Sequence, residues 1–360
     1  MRQYLDRYVM PLWQTYSSPG QPLRPTNTRA LHTIYGIWLF AFVLKLMGSG
    51  WDVAWHFRFL RDDLAPPHMI NTVGTVIVVL LVMFHTWTGY GVDRLTLRLM
   101  QAGISIFLIA IPLDLINHQL FGLDITSWSP THALLYLGTA VMLLGVLRGW
   151  LLLTPDSRIK TVFGLGFWAF LLEDFLFPLG QQEYGVTAIE AMRLGKPYAD
   201  AELMLEAGAN PERFAIPVPT WLYPLWLITS VVLVLLAARL IMRGRWTATL
   251  VAGTYLLYRV VSFYILRGIE FPPSFVPLFI IGTALAIDIG ITYRINPFVA
   301  AFGTLFAFYA GAWISDRYTL MPEIPYTTTM PIAAILLGIV WAGALWIERS
   351  PYVERWRKLA

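Results

Sequence analysis

Residues 30–89 read ALHTIYGIWLFAFVLKLMGSGWDVAWHFRFLRDDLAPPHMINTVGTVIVVLLVMFHTWTG. Two apolar runs, 30–50 and 69–89, flank a short polar stretch. Each is long enough to cross the hydrocarbon core of a bilayer, which takes about 20 helical residues. Asp52 and His56 stand at one edge of the polar stretch, and Pro66-Pro67-His68 stands at the other. An apolar run, a short polar loop and a second apolar run make a membrane helical hairpin, because a lipid-exposed backbone must satisfy its hydrogen bonds within the segment. The expected fold is therefore all-α, a polytopic transmembrane helical bundle.

The rest of the chain repeats this pattern. Further apolar spans are expected at 97–117, 132–153, 161–179, 219–242, 246–266, 274–293, 296–314 and 329–347, which makes about ten. Over 360 residues, 57% are apolar and only 13% charged, a composition that suits many membrane spans and outweighs the length prior for soluble domains. No cysteine is present, so disulfides, thiolate metal sites, iron–sulfur clusters and thiol catalysis are excluded. The net charge of +4 reflects loop arginines, and no nucleic-acid partner is expected. No Walker loop, dinucleotide glycine pattern or Gly-x-Ser-x-Gly elbow occurs.

Arginine and lysine set the expected orientation. Arg2, Arg7, Arg24 and Arg29 precede the first span, Arg94 and Arg98 lie between the second and third, and Arg148, Arg158 and Lys160 between the fourth and fifth. Arg239, Arg243 and Arg245 cluster in one turn, and Arg349, Arg355, Arg357 and Lys358 follow the last span. All share one side if both termini are cytoplasmic. Residues 1–29 are then a cytoplasmic segment without a signal-peptide core, 30–180 a first membrane block, 181–218 an external acidic loop, and 219–360 a second block with a cytoplasmic tail.

The chemistry-bearing residues lie in the first block. Asp52-x3-His56-x5-Asp62-x5-His68 recurs as Asp114-x3-His118-x5-Asp124-x7-His132. Asp and His four apart share one helix face, and a proline-closed loop returns the chain so that the last histidine opens the next span. Each hairpin can then bring one carboxylate and two imidazoles together, a donor set suited to copper, iron or zinc with positions left open. One such window would be ordinary interfacial capping. Two with shared spacing argue for metal. Asp62 and Asp124 are expected to orient an imidazole or cap the next helix, with Arg61 pairing to Asp62. Lys45, seven before Asp52, is expected to neutralise that carboxylate when no metal is bound.

Weaker signals surround these motifs. His32 and His85 fall near the opposite helix ends and read either as a haem pair or, more simply, as packing. Glu173, Asp174 and Asp288 read as proton- or ion-path groups or as helix-pairing residues, and Arg259 as a partner for one of them. Phe59-Leu-Arg61 with Pro66-Pro67-His68 matches Ile265-Leu-Arg267 with Pro272-Pro273-Ser274 at equal spacing. Tyr258, Ser262 and Ser274 would then stand for the first triad, and Gly311, Ser315 and Thr329 for the second. This is either a degenerate internal duplication that has lost every ligand or chance similarity around a Pro-Pro turn.

Over residues 45–150 the sequence resembles the C subunit of the copper membrane monooxygenases, the particulate methane and ammonia monooxygenase family. Asp52-Val-Ala-Trp-His56, Arg61-Asp62 and Pro67-His68 are similar to the family's first ligand set, with the last interval about one residue shorter. Asp114-x3-His118-x13-His132 is similar to the second, with Asp114 where the family has asparagine. The resemblance implies neighbouring copper sites, one held by Asp52, His56 and His68 and the other by His118 and His132 with Asp114. It also implies oxygen-dependent hydroxylation of a small apolar substrate, other monooxygenase-type subunits and a quinol electron donor. The chain departs from the family in its roughly doubled span count and in lacking a cupredoxin domain, and the added carboxylate at Asp114 favours a harder metal such as iron or zinc. Two alternatives of another class stand beside this: a membrane transporter or metal-binding protein, and a zinc-dependent intramembrane hydrolase.

Overall fold

The computed structural model describes residues 17–59, 65–121, 127–196, 210–318 and 321–348. Twelve α-helices account for most of them: α1 Thr28–His56, α2 Pro66–Thr88, α3 Arg94–Phe121, α4 Pro130–Leu153, α5 Arg158–Leu176 and α6 Gly180–Arg193, then α7 Pro211–Ala215, α8 Leu222–Met242, α9 Thr247–Gly268, α10 Ile280–Thr292, α11 Pro297–Tyr318 and α12 Tyr326–Glu348. No strand occurs among the described residues, where the only sheet-like contact recorded is the bridge Arg24–Tyr90. Helix ends follow from local chemistry. Asn27 caps α1 by accepting from the Ala30 N–H, and Ser129 caps α4 by accepting from the His132 N–H. Proline opens both α2 and α4, where its missing N–H is not needed.

Among the described residues, nine stretches are long and apolar enough to cross a membrane. Their outward surfaces are oily: Leu80, Leu257, Phe298, Phe306 and Ile335 are each more than 50% exposed. In water, apolar patches of this kind would drive aggregation. Against lipid they are the surface the physics requires. The chain is a multi-pass integral membrane helical bundle.

Two expectations change here. The span expected at 274–293 is a helix of only 13 residues, Ile280–Thr292, because Pro272, Pro273 and Pro277 hold the preceding stretch out of helix. The fifth span does not end at 179. After a single 3-10 turn, Phe177–Leu179, the chain continues as α6, with Gln181, Gln182 and Glu183 buried where an exposed loop was expected.

The first four helices form two antiparallel hairpins, α1 on α2 and α3 on α4, with α5 against α1, α4, α8 and α9. Glycines let each hairpin close. A Cβ on Gly48 would come within 2.7 Å of the Asn71 nitrogen, and one on Gly74 within 2.9 Å of the Ala41 oxygen. In the second hairpin a Cβ on Gly103 would meet the Gly138 oxygen at 2.6 Å, and one on Gly138 the Phe107 nitrogen at 2.7 Å. Small residues at membrane helix crossings bring backbones together and gain packing that the lipid does not supply. A large core runs through the bundle. A smaller one, built from Ala54, Phe57, Tyr184, Ala188, Phe214 and Leu266, closes the end where α1, α6, α7 and α9 meet.

Candidate metal centres

Each hairpin gathers the donors that its spacing implies. Asp52 and His56 lie one turn apart in the last turns of α1, and His68 opens α2 directly behind Pro66-Pro67. Asp52 Oδ1 lies 3.3 Å from His56 Nε2 and 2.7 Å from His68 Nε2. In the second hairpin, Asp114 Oδ1 lies 3.8 Å from His118 Nε2 and 3.6 Å from His132 Nε2. Within each set of three, the donor atoms all fall within 4.8 Å of one another. Two donors each about 2.1 Å from one metal sit about 3.0–3.4 Å apart, at octahedral or tetrahedral angles respectively. The observed separations bracket that range. The residues fit a transition-metal ion in both hairpins, as two separate triads rather than one merged cluster.

The centres differ in their surroundings. Asp52 is part-exposed at the mouth of its hairpin, and no lysine or arginine among the described residues pairs with it. Asp114 is buried and its Oδ1 accepts a 2.8 Å hydrogen bond from Thr131 Oγ1. Ser129 lies 3.2 Å from the same hydroxyl. Thr131 thus fixes the carboxylate while the Ser129 cap fixes the start of α4, so that His132 leaves the helix toward Asp114. The neighbouring side chains of α3, Leu113, Leu115, Ile116 and Leu120, are exposed to the outside of the bundle. The outer surface of α3 beside this centre is thus largely apolar.

The second centre is also braced from α6. The Ser127 N–H donates to Gln181 Oε1 at 3.0 Å, Gln181 Nε2 donates to the Phe214 carbonyl at 2.7 Å, and Tyr136 OH donates to the Ser127 carbonyl at 3.1 Å. Trp128 packs edge-on against Trp226. The first centre is braced by an aromatic cluster, Trp51, Trp55 and Phe59 around Phe271.

Other expectations resolve differently. Arg61, Asp62 and Asp124 lie outside the described residues. Lys45 does not turn toward Asp52: its Nζ donates to Asn71 Oδ1 at 3.1 Å and Thr75 Oγ1 at 2.9 Å, and lies over the Phe107 ring. Seven residues are about 10 Å of helix rise, and α2 offers partners much nearer. His85 is packing: Trp38 Nε1 donates to its Nε2 at 3.0 Å, and its Nδ1 lies 2.7 Å from the Tyr90 carbonyl oxygen, which leaves no nitrogen for haem. His32 sits beside Trp150.

Arg259 pairs with Glu173 at 3.2 Å and also with Glu183, whose Oε1 accepts from Tyr223. Asp288 pairs with Arg239 and caps α9 by accepting from the Thr249 N–H at 2.8 Å. Glu173 and Asp288 are thus helix-pairing residues. The partnership of Glu183 was not legible in the sequence, although a buried arginine in an apolar span demands a carboxylate somewhere. Thr131 had a signal: it follows a Ser-Pro helix start and precedes His132.

No protein-family model, curated protein or solved structure matches this chain. Its own residues make it an integral membrane bundle with two sites that could hold metal.

Proposed function

We propose that the chain is a membrane metalloenzyme in which Asp52, His56 and His68 hold one transition-metal ion and Asp114, His118 and His132 a second. Its reaction is oxygen-dependent hydroxylation of a small apolar substrate. The observation that carries this reading is the pair of convergent Asp/His/His triads, each built from one helix end and the start of the next. Copper follows from the resemblance in ligand order and spacing to the copper membrane monooxygenases; iron is the alternative favoured by the carboxylate in each set.

A redox-active metal so bound would supply oxygen activation. The chain's own residues supply the rest. Asp52 and Asp114 give each site a negative charge to balance part of a cation's charge. The imidazoles would ligate through Nε2, the nitrogen nearest the carboxylate in each triad. Thr131 holds Asp114 by its hydroxyl, so that the carboxylate presents one oxygen in a fixed direction. Leu113, Leu115, Ile116 and Leu120, exposed on the outer face of α3 near the second centre, would let an apolar substrate approach it from the bilayer.

The test is isotopic. Native-membrane protein supplied with a quinol, a panel of short hydrocarbons and labelled dioxygen should form an alcohol carrying the label. Product should vanish in His118→Ala and after chelation. Activity that persists without oxygen and follows zinc alone would replace this reading with a zinc hydrolase. Metal uptake into vesicles without product would replace it with a transporter.

A further inference from the structure

A cavity of 960 Å³ opens beside the small core at the triad end of the bundle, between α6, the last turns of α9 and the proline-rich segment before α10. It belongs to neither metal centre. Its inner wall is apolar, with Val260, Phe263 and Val276, while Arg58, Lys196 and Arg267 line it as well. None of these three cations forms an ion pair with a described acid. Arg58 instead donates to the Glu270 carbonyl at 2.6 Å and lies over the ring of Phe271, which holds its guanidinium at the cavity. Two acids, Glu190 and Glu270, also line the space, and Glu190 is within 3.8 Å of Arg193. The balance is cationic.

The cavity continues onto a lipid-facing surface. Val261, Tyr264 and Ile265 on α9, together with Leu278, are each at least 48% exposed along its flank. A basic rim above an apolar wall, at a helix end in a membrane protein, matches an anionic head joined to hydrocarbon. Arginine also suits phosphate, because its planar fork can give two parallel hydrogen bonds. A cavity of this volume is roughly in the range of small-molecule ligand sites. It takes a head group and the upper part of the chains. We propose that this cavity binds one anionic phospholipid from the leaflet at the triad end, with the phosphate between Arg58, Arg267 and Lys196 and the chains along α9.

The test uses the full-length protein, purified and delipidated in mild detergent, with retained lipid counted by native mass spectrometry. The probes are phosphatidylglycerol, phosphatidylcholine and inorganic phosphate. The wild type should retain one phosphatidylglycerol with at least about tenfold preference over phosphatidylcholine, in line with about 1 kcal/mol for each basic residue near an anionic surface. Millimolar inorganic phosphate should not displace it. The triple variant R58Q/K196Q/R267Q should reduce the preference to near parity while keeping its melting temperature. Ala191→Trp, which fills the cavity without touching a charge, should abolish retention. Equal retention of both lipids by the wild type, an unchanged preference in the triple variant, retention that survives Ala191→Trp, or full displacement by phosphate would each overturn the proposal.

Discussion

Asp114 is the residue that most distinguishes the second centre from the first, because its carboxylate is buried and held by a hydroxyl. Removing that hydroxyl should loosen the site without unfolding it. Thr131→Val is predicted to weaken metal retention at the second centre by about 10- to 100-fold, the usual effect of losing an outer hydrogen bond to a ligand, and to leave the first centre unchanged. Metal titration against a calibrated chelator measures this; equal loss from both centres would show that Thr131 acts on the fold rather than on Asp114. At the other end of the same hairpin, Asp93 caps α3 by accepting from the Thr96 N–H at 2.8 Å, and Arg148 on α4 pairs with it. Burial pushes the Asp93 carboxyl up, but hydrogen bonds from Arg148 and Thr96 outweigh it and hold the group below its ordinary range. A depressed folded-state pKa contributes stability above the unfolded value of about 4, and that contribution fades as pH falls through the folded value. The melting temperature of Asp93→Asn should therefore lie below that of the wild type from pH 7 to pH 5, with the gap narrowing only below about pH 4. A gap that narrows between pH 7 and pH 5 would assign it to some other group.

At the scale of the element, what matters is how closely the two helices of a hairpin approach. The donors come together because Gly48 and Gly74 in one hairpin, and Gly103 and Gly138 in the other, leave no room for a Cβ at the crossing. Gly138→Leu should force α3 and α4 apart, at an overpacking cost of about 1–3 kcal/mol. The predicted result is loss of metal at the second centre with retention at the first; retention at both would mean that the crossing does not position the donors. The sequence already contained most of this. An i, i+4 Asp/His pair, a proline-closed loop and a histidine at the start of the next span are local features, and local features set helix faces and helix starts. The short α10 and the continuation of α5 into α6 were less legible. Hydropathy alone does not separate a prolyl coil packed on protein from a helix in lipid, and the acids around Glu183 looked like a solvated loop. Glu183 is instead a partner of Arg259, and that partnership depends on where α9 passes α6, which no local pattern encodes.

For the whole molecule, the two halves divide the work. The first carries both triads. The second supplies α8 and α9, whose Tyr223 and Arg259 lock onto Glu183 and Glu173 from α6 and α5. Breaking a buried ion pair on one side costs about 3–5 kcal/mol, because an uncompensated charge stays behind. Arg259→Leu should therefore lower the thermal stability of the whole bundle sharply, and Arg259→Leu with Glu173→Gln and Glu183→Gln should recover a large part of it; no recovery in the triple variant would show that Arg259 matters through packing alone. Among the described residues, the only clusters of three His, Asp or Glu donors close enough to share a metal are the two triads of the first half. Metal-to-protein stoichiometry in chelator-free preparations from native membranes shows whether this half holds two independent metal ions. The wild type should carry two transition-metal ions per chain, His56→Ala one, His118→Ala one and the double variant none. A wild type without bound transition metal, or single variants that keep the wild-type content, would contradict this.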